Sequence, residues 1–245
     1  PEPRELITLD TAPKALRLDA TGTHLAVLSD KGPPRLLDLQ AREPQAQLLT
    51  GQDSAADAIA FSTDGRWLLG TAVWGDFNVR RWRTDNPASD PVTLETRAVP
   101  ELKYETASGG GGGEPVGGLP DALSIDVRGE HLALPGPKGE VWVVGLADPA
   151  AAPRVFKGPS HQVTATAFTP DGSRVAGADW DHGVHVWSLA DPQQPPLVMP
   201  GLGGTRRSSV SAMKLSPDGR WIASGGESGE VVLRRLAAPQ EAPHI

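Results

Sequence analysis

The sequence predicts an all-β fold, a ring of small four-stranded antiparallel sheets, and three observations predict it. A turn fragment recurs along the chain, apolar-alternating runs flank each copy, and the copies come at intervals near 43 residues. The fragment is Thr-Pro-Asp-Gly at 169–172, Ser-Pro-Asp-Gly at 216–219 and Ser-Thr-Asp-Gly at 62–65, with weaker copies ending at Gly22 and Gly129. The intervals between Gly22, Gly65, Gly129, Gly172 and Gly219 are 43, 64, 43 and 47 residues. In such a turn Pro presets φ, Asp bonds its own backbone and Gly takes a positive φ, so two alternating runs around it specify a hairpin.

The elements follow in order. The first strands are LRL at 16–18, AIAF at 58–61, ALSIDV at 122–127, VTATAF at 163–168 and VSAMKL at 210–215. The second strands are HLAVL at 24–28, RWLLGTAV at 66–73, EHLAL at 130–134, RVAGA at 174–178 and RWIASG at 220–225. After another turn come RLLDL at 35–39, NVRRW at 78–82, EVWVV at 140–144, VHVWSL at 184–189 and EVVLRRL at 230–236. Short Pro-flanked fourth runs, AQLL at 46–49, PVTL at 91–94, RVF at 154–156 and PLVM at 196–199, lead into the next unit. Four short strands in 40–45 residues is the period of a propeller blade. A lone blade cannot bury both faces of its sheet, so blades stack around an axis. The units fall near 10–49, 55–95, 120–156, 161–199 and 208–236 of one domain spanning 1–245.

Several of these residues resemble the WD40-repeat family. Asp181, His182, Gly183 and Trp187 stand where that family has its Asp-Gly turn and its Trp-Asp dipeptide. Trp82 holds the same place two blades earlier, with Asp76 six residues before it, the offset of Asp181 from Trp187. His161 looks like the His of the family's Gly-His pair. The dipeptide is degraded: Ser188 and Arg83 follow the two tryptophans, Asp38 follows Leu37, and Val144 and Arg234 occupy the Trp place elsewhere. The resemblance implies a structural network of His161, Asp181, Trp187, Asp76 and Trp82, and a role in binding proteins.

Composition agrees with short strands and turns: 28 Gly, 24 Pro and 22% charged residues, with no sustained helical period. Cysteine is absent, which excludes disulfides, thiolate metal sites and thiol catalysis, and fits the cytoplasm. No apolar stretch approaches the length of a membrane span. With 23 Lys+Arg against 30 Asp+Glu the net charge is −7, which argues against a general nucleic-acid binder.

Asp179, Asp181, His182 and His185 crowd seven positions, as metal ligands would. On a blade, however, Asp181 belongs to a turn whose backbone N–H groups it can accept. His182 and His185 are odd–even partners that diverge on a strand. The cluster therefore reads as architecture, with no metal, cofactor or catalytic residue expected. The glycine run at 108–118 lacks the Gly-Lys-Ser/Thr ending and the helix of a phosphate loop. The first strands start at Ala15, Asp57, Ala122, Val163 and Val210, mostly small or apolar, rather than with a repeated set of inward donors. The competing class is a propeller hydrolase or lactonase with a metal in the central channel.

The interval of 64 exceeds a blade by 21 residues, so 97–119 reads as a flexible inserted loop between a fourth and a first strand. It carries the only tyrosine, Tyr104. Trp74 and Trp180 fall in second-to-third-strand turns, and Arg206 and Arg207 in another fourth-to-first loop. All five fall on the same face, and Trp, Tyr and Arg are the residues that interface hot spots favour. The expected function is a non-catalytic scaffold or sensor module for a protein or peptide partner, with other domains of the same polypeptide. The chain starts at Pro1 and shows five units, so a larger, seven-bladed ring is expected. RELITL at 4–9 reads as a fourth strand, and the isolated arc is expected to self-associate through exposed edges.

Overall fold

The computed structural model describes residues 6–9, 12–29, 31–51, 56, 58–71, 78–94, 123–136, 139–148, 151–158, 163–179, 183–199, 210–226, 229 and 231–238. They form a five-bladed β-propeller of antiparallel sheets. Blade 1 contains β1 (Pro13–Leu18), β2 (His24–Ser29), β3 (Arg35–Asp38) and β4 (Gln47–Leu48). Blade 2 contains β5 (Ala58–Phe61), β6 (Trp67–Thr71), β7 (Val79–Arg83) and β8 (Val92–Leu94). Blade 3 contains β9 (Ser124–Ile125), β10 (His131–Pro135), β11 (Val141–Gly145) and β12 (Arg154–Phe156). Blade 4 contains β13 (Val163–Phe168), β14 (Arg174–Asp179), β15 (Val184–Ser188) and β16 (Leu197–Met199). Blade 5 has three strands among the described residues: β17 (Val210–Leu215), β18 (Trp221–Gly226) and β19 (Val231–Arg235).

One expectation fails over the part that can be tested. Residues 6–9 belong to no strand. Leu6-Ile7-Thr8-Leu9 has apolar residues suited to a strand, but a strand also needs a partner edge, and no described strand pairs with it. The insertion at 97–119, including Tyr104, lies outside the described residues.

Strand alternation decides how the blades stack. Successive side chains on a strand point to opposite faces, so neighbours in sequence enter different cores. On β6, Leu68 joins a core with Ala26, Leu28, Leu36, Ile59 and Trp82 between blades 1 and 2. Its neighbour Leu69 joins Val79, Ile125, Leu132, Leu134 and Val144 between blades 2 and 3. Ala133, Val141, Val143 and Phe156 meet Phe168, Val175 and Trp187 between blades 3 and 4. Ala176, Ala178, Val184, Val186 and Met199 meet Met213, Ile222 and Leu236 between blades 4 and 5. The hydrophobic core is thus a series of slabs, one per seam.

The register aligns the third strands. Leu37, Trp82, Val144, Trp187 and Arg234 each pair with the residue six positions after the start of the preceding turn. All five are buried. Trp82 Nε1 donates to the Thr50 carbonyl of blade 1 at 2.9 Å, and Trp187 Nε1 donates to the Lys157 carbonyl of blade 3 at 3.0 Å. Each indole therefore fills a seam and pins its blade to the one before.

Candidate functional site

The antiparallel order puts every turn between first and second strands at one end of the sheets. Residues Asp19, Ser62, Asp126, Thr169 and Ser216 open these five turns. In each, the backbone N–H of the opening residue donates to the carbonyl five residues on, and the glycine N–H donates back to the opening carbonyl. The glycines have φ between +67° and +72°, a region that penalises any Cβ. The carbonyl four residues after the opening also accepts an N–H from beyond the third strand, as in Leu39 to Thr23 and Leu236 to Arg220.

Two side-chain chemistries cap this one backbone. In blades 2, 4 and 5 a hydroxyl opens the turn and an aspartate follows two residues later. Ser62 Oγ donates to Asp64 at 2.6 Å and accepts from Trp67 N at 3.1 Å, while Asp64 accepts from Arg66 N at 3.0 Å. Thr169 with Asp171 and Ser216 with Asp218 repeat the arrangement. In blades 1 and 3 the aspartate itself opens the turn and a histidine lies five residues on. Asp19 accepts from Thr23 N at 2.8 Å, Thr23 Oγ1 at 2.7 Å and Thr21 Oγ1 at 2.9 Å, and lies 3.0 Å from His24 Nδ1. Asp126 accepts from Glu130 N at 2.7 Å and His131 N at 3.1 Å, and lies 2.9 Å from His131 Nδ1.

The electrostatics follow from these contacts. Burial opposes charge on Asp19, but hydrogen bonds from His24, Thr23 and Thr21 outweigh it and hold the carboxyl well below the usual carboxylate range. The Ser216 hydroxyl, the Arg220 N–H and the Arg220 guanidinium bring exposed Asp218 down to about 2. A carboxyl depressed in the folded state contributes stability above its unfolded pKa and loses it as pH falls towards the folded value. Asp19→Asn is therefore expected to cost about 2 kcal/mol at pH 7, with the gap to the parent narrowing below about pH 4. Urea midpoints across this range measure it, and a gap unchanged down to pH 2 would contradict it.

Asp126, Glu130 and His131 are the group among the described residues whose donor atoms, all within 4.8 Å of one another, could hold a metal. Their commitments argue otherwise. Both carboxylate oxygens of Asp126 are engaged by the turn, and the Arg81 guanidinium, whose pKa burial lowers against the pull of Asp126 and Glu130, lies close by. In blade 1, Thr23 stands in the place of Glu130 and the same turn forms with no third ligand. The group is a hairpin cap.

The cluster of Asp179, Asp181, His182 and His185 resolves in part. Asp179 and His185 meet, with Oδ2 and Nε2 3.1 Å apart, and Asp179 Oδ1 accepts from Gly183 N at 2.9 Å. The His185 ring stacks on Trp187 at 5.8 Å. Sequence reasoning gave the turn-capping role to Asp181 and missed Asp179; the signal was the six-residue spacing to His185 across one hairpin. On the end with the first-to-second-strand turns, a groove of about 610 Å³ separates blades 4 and 5, lined by Asp171, Arg174, Asp218, Arg220, Trp221 and Arg235. Its charges are partly satisfied: Arg220 Nε donates to Asp218 at 2.6 Å, and Arg235 lies over the Trp221 ring.

Of the residues expected from sequence, Trp82 and Trp187 are buried between blades. His161, Asp76, Asp181, Trp74, Trp180, Tyr104, Arg206 and Arg207 lie outside the described residues. In chain order, Trp74 falls between β6 and β7, Trp180 and Asp181 between β14 and β15, Tyr104 between β8 and β9, and Arg206 and Arg207 between β16 and β17.

Comparison with known proteins agrees with this architecture. The family model described as WD domain, G-beta repeat matches residues 152–188 and 201–233, which cover much of blades 4 and 5. The chain is 26% identical over 118 residues to a Denticleless protein homolog of Danio rerio, covering 46% of this chain and 18% of that protein. It is 22% identical over 211 residues to Transcription initiation factor TFIID subunit 5 of Caenorhabditis elegans, covering 85% of this chain and 28% of that protein. The chain thus spans less than a third of either relative. Among the described residues no helix is long and apolar enough to cross a membrane.

Proposed function

We propose that this chain, a WD40-repeat β-propeller, is a non-catalytic scaffold that binds a protein or peptide partner. It would serve as the repeat region of a larger multidomain signalling protein in the cytoplasm. The observation that carries the reading is where the reactive-looking groups are spent. The carboxylates of Asp19, Asp126 and Asp179 cap backbone N–H groups and hold imidazoles, which is work internal to the hairpins. One relative is by its name a subunit of a transcription initiation factor, which supports a place among protein partners.

The binding surface proposed is the end opposite the capped turns, where the connections bearing Trp74, Trp180, Tyr104, Arg206 and Arg207 join the strands. Large aromatic and guanidinium side chains bury much area at low entropic cost, so a few dominate an interface. Replacing Trp74 and Trp180 together with alanine is expected to weaken partner binding by about 2 kcal/mol or more, roughly thirtyfold. Titration calorimetry with the purified partner measures this. Unchanged affinity in a variant with the parent's circular dichroism and melting temperature would overturn the placement.

A further inference from the structure

The seams that follow blades 2 and 4 differ at one residue, and the difference opens the groove between blades 4 and 5. Arg174 pairs across its hairpin with Ser188 as Trp67 pairs with Arg83, so the two hold the same register place. In blade 2 the indole fills the end of the seam, and a Cβ on Gly129 of blade 3 would strike it. In blade 4 the arginine side chain is exposed instead. A Cβ on Gly219 of blade 5 would meet Pro170 at 3.3 Å and no atom of Arg174 within 4 Å. The place that an indole fills in one seam is thus left open in the other, on a groove of about 610 Å³ whose walls are the consecutive blades 4 and 5.

The charged groups of this groove are unequally engaged. Its carboxylates are committed to the turns. Asp171 accepts from Thr169 Oγ1 at 2.5 Å, Ser173 N at 3.0 Å and Ser173 Oγ at 2.7 Å. Asp218 accepts from Ser216 Oγ at 2.6 Å, Arg220 N at 3.0 Å and Arg220 Nε at 2.6 Å. The guanidinium groups are not so committed. Arg174 lies near enough to Asp171 to favour its charge, yet its side chain donates to no acceptor among the described residues. Arg235 lies over the Trp221 ring at 5.1 Å, a contact that accepts none of its N–H groups in a hydrogen bond. Arg234, the preceding residue on β19, is buried, and no carboxylate offsets the burial that lowers its pKa. On a chain of net charge −7, this seam therefore gathers guanidinium donors whose natural acceptors are absent. Such forks pair best with carboxylates, two N–H groups to two oxygens.

We infer that this groove docks an acidic peptide segment of a partner protein, whose Asp or Glu side chains take the free N–H groups of Arg174 and Arg235. Charge complementarity sets the chemical class of the occupant. The sequence sets its source: among the 30 Asp and Glu of this chain no two are adjacent, so no segment of it presents a run of carboxylates. The groove lies at the capped-turn end, away from the surface proposed for Trp74 and Trp180.

Fluorescence anisotropy of the full chain with fluorescein-labelled hexaglutamate tests the inference. The peptide should bind saturably at low ionic strength, and hexaglutamine should not. Arg174→Ala with Arg235→Ala, both at exposed sites and so compatible with folding, should weaken binding at least about tenfold. Arg66→Ala with Arg128→Ala removes the same charge from exposed turns of blades 2 and 3 at the same end, and should leave affinity within about twofold. Equal losses from the two pairs would reduce the effect to net charge and overturn the inference. Free glutamate competing as well as the peptide at equal carboxylate concentration would make this a small-anion site, and would also overturn it. So would binding that appears only after residues 239–245 are removed, because the chain itself would then fill the groove. Trp74→Ala with Trp180→Ala should leave hexaglutamate binding unchanged, so the groove and the partner surface can fail separately. A loss there would move the peptide to the other end and overturn the groove.

Discussion

Replacing Trp187 with alanine is expected to destabilise the protein by about 4 kcal/mol, the largest effect of any single truncation considered. The indole is buried among Ala133, Val143, Phe156, Phe168 and Val175, so its removal leaves a cavity that two sheets line and neither can fill. The edge of the ring lies 3.2 Å from where a Cβ would sit on Gly158 or Gly177, which shows how closely the backbone fits it. Deletion also strands the Lys157 carbonyl that accepts from Nε1. Trp187→Phe keeps most of the volume and loses the hydrogen bond, and should cost about 1–2 kcal/mol. Denaturant unfolding measures both. Equal losses for the two variants would show that the hydrogen bond, rather than the packing, holds the seam.

Gly129→Ala is the second large effect, at about 3 kcal/mol, and Gly22→Ala is its internal control at about 1 kcal/mol. Both glycines have a left-handed φ, +67° and +70°, so both pay the backbone penalty. They differ in surroundings. A Cβ on Gly129 would lie 2.6 Å from Cγ of Trp67 and closer to Cδ1 and Nε1. That indole cannot easily move, because the Arg81 guanidinium lies over its ring at 4.3 Å and also donates to the Gly129 carbonyl. The two variants therefore separate the strain of the turn from the packing between blades. A Gly22 variant as damaged as the Gly129 variant would mean that the packing against Trp67 adds nothing to the strain of the turn, and would contradict the separation of the two effects.

Much of the fold was legible because hairpins are specified locally. Pro-Asp-Gly and Ser-Thr-Asp-Gly fix a turn from four residues, and period-two alternation then assigns faces on both sides. The fourth strands were found as short Pro-flanked runs, and the third-strand column of Leu37, Trp82, Val144, Trp187 and Arg234 followed from counting within each repeat. The capped turns were not legible as chemistry. Asp19 and Asp126 stand where other copies have Ser or Thr, and their pairing with His24 and His131 across a hairpin exists only once register is known. Likewise the role of Asp179 depends on β14 and β15 being in register, while its spacing in sequence drew attention to Asp181. The strand expected at 4–9 failed over 6–9 for a related reason: apolar side chains make a segment able to pair, and the partner edge must come from elsewhere in the fold.

We propose that function lies chiefly in one surface of the propeller, at the end opposite the capped turns, where the chain order places the connections containing Trp74 and Trp180. The most direct measurement places a photoreactive amino acid at position 74 or 180, and at position 66 as a comparison, since Arg66 is exposed in a capped turn at the other end. On irradiation with cell extract, positions 74 and 180 should each capture the same discrete protein, and position 66 should not. Capture from position 66 with none from 74 or 180, or no capture from any of the three, would contradict the claim.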